Sequence, residues 1–261
     1  MFDCEYVPDI ATGRRVYRLS PEMPDDLVLK EMYLNAPPDT KNPDNPAPML
    51  KTFMHRVVSV SAVVRDARKE AKKKLQLRTL PDPLAMSERD MLFRFLSGVG
   101  GNKMQLVGFA SRLFDVPVLA QRALVHGLAV PEFFSLPEKP WLGTDYLARY
   151  TDAHVDLFDV VSLNGDPKSK PKLDEIAAAC GIPGKLGVSG ADVAGMVLGG
   201  RLAEVVAYNE CDAATTYLLW LRAAATAGLL DYVEEAGEFR DLVEEKAKTE
   251  PHMAKFLEAW K

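Results

Sequence analysis

Cysteine is scarce. There are three, Cys4, Cys180 and Cys211, far apart and in no C-x-x-C pair. That pattern argues against a disulfide framework and against structural zinc, and it fits small buried thiols in a reducing compartment. Excess positive charge is lacking too. Lys and Arg number 32 against 37 Asp and Glu, for a net charge of -5. A nucleic-acid partner therefore needs local basic patches or a bound cation to offset repulsion. No apolar run reaches membrane-spanning length and no signal-peptide pattern is present, so the expectation is a cytoplasmic protein with no membrane partner. The glycine-rich stretch Gly184 to Gly190 carries Lys185 but not the full phosphate-loop pattern, and no internal repeat is visible. What is present is ample apolar material: 48% hydrophobic residues in 261, enough for one globular domain with a large core and an appendage.

Along the chain, Ala36 to Met49 is rich in Pro, Asn and Asp and reads as a loop. Arg56 to Val64 is dense in β-branched residues and reads as a central strand. Lys74 to Arg78 alternates apolar and polar and reads as its antiparallel partner. The charged tip between them, Arg65 to Lys74, is either a solvated turn or a hairpin end that touches phosphates. Ser87 caps a helix that Gly98 to Gly101 ends. Met104 to Phe109 is a short buried strand. Asp115, with Pro117 in the first turn, caps a helix running to Leu124. Pro131 to Trp141 and Asn164 to Pro171 are loops. Val155 to Phe158 is a strand, with Asp159 capping the turn after it. Lys172 to Cys180 is helical, Ser189 caps the next helix, and Leu202 to Ala225 is the longest helical run. The tail from Glu234 to Lys261 is charged and amphipathic, broken at Pro251; it is a helical piece packing on the domain or an oligomer contact. Early strands followed by many helices predict an α/β fold with a mixed β-sheet flanked by helices.

The stretch with most chemical content is Phe2-Asp3-Cys4-Glu5-Tyr6. As a strand it turns Asp3 and Glu5 to one face and Phe2, Cys4 and Tyr6 to the other. Two adjacent buried carboxylates repel and call for a cation between them, and Mg2+ takes carboxylate oxygens readily. In the long helix, Tyr208 and Asp212 share a face. If Asp212 faces the sheet it joins Asp3 and Glu5, with Asp115 a natural fourth. Four converging carboxylates would hold two divalent ions, which suits phosphodiester hydrolysis: one ion lowers the pKa of the attacking water and both stabilise phosphoryl charge. Each residue taken alone also has an ordinary reading. Asp115 can be only a helix cap, Tyr208 only a core tyrosine, Asp212 an exposed helix acid. His154, Asp156 and Asp159 read as a hydrogen-bonded histidine, a loop brace and a cap.

Four blocks together carry a resemblance: Phe2-Asp3-Cys4-Glu5, Leu113-Phe114-Asp115-Val116-Pro117-Val118-Leu119, His154-Val155-Asp156-Leu157-Phe158-Asp159 and Tyr208-Asn209-Glu210-Cys211-Asp212. They resemble the DEDD 3′-5′ exonucleases of the ribonuclease H-like fold, tyrosine type. The group resembled is the exonucleases related to the proofreading domain of family B DNA polymerases that occur without a polymerase. Gly181-Ile182-Pro183-Gly184-Lys185 and Tyr217-Leu218-Leu219-Trp220-Leu221-Arg222 are similar to that group as well. The resemblance implies a ribonuclease H-like exonuclease domain over residues 1–229 and a helical C-terminal extension over 230–261. It implies a two-ion Mg2+ or Mn2+ enzyme that removes nucleotides from the 3′ end of single-stranded nucleic acid, DNA favoured over RNA. Protein partners are left open. Asp3, Glu5 and Asp212 would bind the tighter ion, Asp3 would also reach the second, Asp115 would support it through water, and Tyr208 would position the attacking water. The histidine type would have its His one residue earlier, where this chain has Ala207. Two features depart from the family. Only Met1 and Phe2 precede the first acid, and Ala110 stands where the family has an Asn that helps seat the nucleic acid. Phe114, Ser111 and Arg112 are the candidate substrate contacts there. An exoribonuclease, or a weakened nucleic-acid-binding module of the same fold, are the alternative expectations.

Overall fold

The computed structural model describes residues 1–39, 44–45, 47–66, 75–134, 146–148, 151–162, 170–184, 187 and 190–260. Strand β1 (Phe2–Pro8) pairs antiparallel with β2 (His55–Arg65), which pairs antiparallel with β3 (Leu75–Leu80). The β-branched density of β2 thus sits in the middle of a sheet, as its composition predicts. The short strands β4 (Leu106–Gly108) and β5 (His154–Asp156) form a separate parallel pair. The strand β4 lies against β1: a Cβ at Gly108 would come within 3.2 Å of the Phe2 ring and 2.5 Å of the Ser111 side chain. Antiparallel and parallel pieces together supply the mixed direction of an α/β fold.

Helices cover both faces. On one, α3 (Glu88–Gly101) and α4 (Asp115–Val125) pack Leu92, Leu96, Val118 and Leu119 against Phe2, Cys4, Val57 and Val60. On the other, α8 (Leu202–Thr226) lays Ala214, Tyr217, Leu218 and Leu221 over Val63 and Val107. Each buried Leu, Val or Phe among them contributes about 1.5–3 kcal/mol. The first helices, α1 (Ile10–Tyr17) and α2 (Asp25–Leu34), form a satellite cluster with Leu50 and Met54. The later ones, α5 (Leu157–Ser162), α6 (Leu173–Ala179) and α7 (Gly190–Leu198), rim the α8 side. The tail forms α9 (Tyr232–Ala247) and α10 (Pro251–Ala259), broken before Pro251 as expected, and its Phe239, Val243, Met253 and Phe256 join the same core as Tyr217.

A register step in the β1–β2 ladder falls between Glu5 and Tyr6, where Val58 is skipped. It puts two consecutive β2 residues on the α8 face: Val58 packs with Val7 and Tyr208, and Ser59 bonds Asn209. A buried charge network holds α4 in place. Arg122 donates from Nε and Nη2 to Glu88 and from Nη1 to Asp9, and Glu88 also accepts the Val57 amide. That fastens the helix headed by Asp115 to β2 and to the start of α1.

Four expectations shift. Asp159 lies inside α5 and is not a cap; its carboxylate faces Arg112. Leu157 and Phe158 are not strand: the Asp156 carboxylate accepts the Phe158 amide at 3.0 Å, ending β5 and starting α5 in one step. Asp115 is the first helical residue rather than the cap, and Phe114 stands before it. The glycines 98–101 lie inside α3; Gly100 is needed there because the backbone of Glu132 would sit 2.6 Å from its Cβ. Ser87 does cap α3, accepting the Asp90 amide. The tip residues 67–74, the loop residues 135–141 and 163–169, and Ser189 lie outside the described residues.

Candidate active site

Alternation along β1 sends Phe2 and Cys4 into the α3–α4 core and turns Asp3 and Glu5 toward α8. There Asp212 meets them. One carboxylate oxygen each from Asp3, Glu5 and Asp212 lie within 4.8 Å of one another. Glu5 and Asp212 are buried and Asp3 is partly so. Loss of solvation, then the charges of Asp212, Glu5 and Asp115, push the Asp3 carboxyl well above its usual range; Asn209 works against them by donating to Asp3 Oδ2 at 2.6 Å. Asp115 approaches from the head of α4. Its pKa is raised to about 6, chiefly by burial, against the hydrogen bond it accepts from the Tyr6 hydroxyl at 2.6 Å.

Tyr208 packs its ring among Val7, Val58, Val193 and Val205. Burial, the Asp212 charge and a hydrogen bond to Asp212 raise its hydroxyl far above the ordinary tyrosine range, so it stays protonated. The hydroxyl is therefore a donor and an orienting group, not a base.

An all-oxygen, carboxylate-rich donor set suits a hard divalent cation such as Mg2+ or Mn2+. Burial first, and then the neighbouring acids, disfavour the charged Asp3 carboxylate, and the neutral Asn209 amide offsets only part of that, so a cation among the three oxygens would stabilise them. The residues present fit such an ion.

The predicted substrate contacts lie to one side. Phe114 sits edge-on to Tyr6 and His55, with ring centroids 5.2 and 5.3 Å apart. Ser111 is buried and its Oγ is 2.9 Å from His154 Nε2. The Arg112 guanidinium donates to the carbonyls of Ala148 and His154 and pairs with Asp159 at 3.6 Å. Asp156 braces this loop, accepting the amides of Ala110 and Arg112 at 2.8 Å each. Burial, then Arg112, lowers the His154 pKa to about 4, so the ring is neutral. Sequence reasoning missed Asn209, Ser59 and Tyr6. The first had a usable signal, since it lies three residues before Asp212 on the same helix. Ser59 and Ser61 are the polar interruptions of an apolar strand, both fully buried.

No curated protein matches the chain. A family model described as a predicted 3′-5′ exonuclease related to the exonuclease domain of PolB matches residues 47–260. Asp115, Tyr208 and Asp212 fall inside the match, and β1 with Asp3 and Glu5 lies ahead of it. A match over most of the chain shows the family: this protein belongs to the predicted 3′-5′ exonucleases related to the exonuclease domain of PolB.

Proposed function

We propose that the protein is a divalent-metal-dependent 3′-5′ exonuclease acting on single-stranded DNA and releasing mononucleotides. The observation that carries the reading is the convergence of Asp3, Glu5 and Asp212 within 4.8 Å, beside Asp115, in a chain of an exonuclease family. Asp3, Glu5 and Asp212 would hold the ions, two Mg2+ or Mn2+, with Asp115 supporting the second. When bound, such ions neutralise charge on the phosphoryl oxygens and acidify a water. Tyr208 keeps its proton and directs a water by its hydroxyl, which Asp212 orients. Asn209 fixes the rotamer of Asp3 from the side of Ser59. Phe114, partly buried, edge-on to Tyr6 and His55 and next to Asp115 in the chain, is the candidate stacking surface for a base near the 3′ end.

The test is a 5′-labelled oligonucleotide with Mg2+ or Mn2+. A ladder shortening from the 3′ end, absent with chelator and in Asp212→Asn, supports the reading. An intact substrate under all conditions, or a ladder unchanged in Asp212→Asn, overturns it. A matched RNA strand in the same assay reports the sugar preference; faster loss of RNA would make the enzyme an exoribonuclease.

A further inference from the structure

Glu210 lies two residues before Asp212 on α8 and so points to a different flank of the helix. There it meets Glu250, which precedes α10, and His252 in the first turn of α10. One ligand atom from each lies within 4.8 Å of the others. His252 Nε2 is 2.6 Å from Glu210 Oε2 and 3.7 Å from Glu250 Oε2. The second oxygen of each carboxylate is already held by the protein. Thr79 Oγ1 donates to Glu210 Oε1 at 2.6 Å, and Lys246 Nζ donates to Glu250 Oε1 at 2.7 Å. Both Oε2 atoms thus face one imidazole nitrogen, which as a proton donor reaches only Glu210. Glu250 Oε2 is buried and has no hydrogen-bond donor among the described residues. Nor does Glu250, at the position ahead of α10, cap that helix with its side chain.

We propose that Glu210, Glu250 and His252 form a second divalent-cation site, of transition-metal type, that fastens the start of α10 to α8. A cation in place of the imidazole proton engages Nε2 and both Oε2 atoms at once, where the proton engages one. The donor set of one imidazole and two carboxylates selects Zn2+, and Co2+ as its spectroscopic substitute, over Mg2+, which prefers oxygen alone. The site is independent of the exonuclease reading.

The test uses the full chain carrying Asp3→Asn and Asp212→Asn, so that the acidic cluster does not compete. Co2+ is expected to give visible ligand-field absorption saturating at one ion per chain. Zn2+ is expected to raise the melting temperature, and Mg2+ at equal concentration to leave it unchanged. Adding His252→Gln should abolish the Co2+ band and the Zn2+ shift, and adding Glu250→Gln should weaken Co2+ binding at least about tenfold. No Co2+ band and no Zn2+ shift in the parent, or the same band and shift in both added variants, overturns the proposal.

Discussion

Asn209 holds Asp3: its Nδ2 donates to Asp3 Oδ2 at 2.6 Å while its Oδ1 accepts from Ser59 Oγ at 2.9 Å. Asn209 and Ser59 are fully buried, so the amide has a fixed orientation and Asp3 inherits it. Asn209→Ala should lower kcat about 10- to 100-fold, the usual cost of losing an orienting partner behind a ligand. It should also raise the Mg2+ concentration for half-maximal activity. Ser59→Ala should do less, because the Asp3 contact survives. Steady-state kinetics across a Mg2+ titration check both, and unchanged metal dependence in Asn209→Ala would refute the orienting role.

Raised carboxyls make the metal-free protein sensitive to pH in a defined direction. Asp3 and Asp115 both have folded pKa values above the ordinary 3.8, that of Asp115 about 6. Stability from such groups is fully present below pH 4 and is lost as pH rises through the folded values. With chelator present, these two groups should pull the melting temperature down between pH 4 and 7, and Asp3→Asn should flatten that fall. At pH 7.5 the variant should melt higher than the parent without metal, and lower than it in saturating Mg2+. Thermal melts at several pH values decide this; an unchanged slope in Asp3→Asn would count against the geometry.

The Tyr6 hydroxyl bond favours the ionised form of Asp115. Tyr6→Phe removes a hydrogen bond to a charged group and should raise the Asp115 pKa by roughly one unit. The acid limb of the pH–activity profile then moves to higher pH by a similar amount, with the alkaline limb unmoved. A profile of unaltered shape in Tyr6→Phe would mean that Asp115 does not set that limb.

Much of this arrangement was legible because it follows from local periodicity. Alternation turned Asp3 and Glu5 to one side of β1, and helical spacing put Tyr208 near Asp212. The rest depended on contacts between residues far apart in the chain. Nothing near Ser59 announces the skipped pairing at Val58 that aims its hydroxyl at Asn209. The strand reading of Leu157 and Phe158 failed because the Asp156 carboxylate captures the Phe158 amide, and apolar content alone does not register that competition. Asp115 looked like a cap because Asp before an apolar run usually is one; its partner Tyr6 is 109 residues away.

Ala110 adopts φ 56°, a left-handed conformation that costs an L-residue with a Cβ about 1–2 kcal/mol. The Asp156 carboxylate, accepting the Ala110 amide, holds the turn in that shape. Asn tolerates this region better than Ala, which gives a backbone reason for the Asn that the resembled exonucleases carry there. Ala110→Gly should stabilise the fold by about 1 kcal/mol, and Ala110→Asn by somewhat less. If the Asn side chain also seats the nucleic acid, Ala110→Asn alone should lower KM. Urea melts and kinetics on both variants separate the two effects.

The tail can be tested as part of the core. Phe239 of α9 is fully buried with its ring centroid 4.6 Å from Tyr217 of α8 and 5.9 Å from Trp260. Phe256 of α10 is equally buried in that cluster. Removing such a ring leaves a void as well as losing its transfer free energy, so Phe239→Ala should cost about 3–5 kcal/mol. Val233 on the same helix is 81% exposed, and Val233→Ser should stay within about 0.5 kcal/mol of the parent. A chain cut after Leu229 loses both helices and uncovers Tyr217 and Leu218, so it should lack a cooperative melt. If instead it melts cooperatively near the parent temperature, α9 and α10 are an accessory layer and residues 1–229 stand alone.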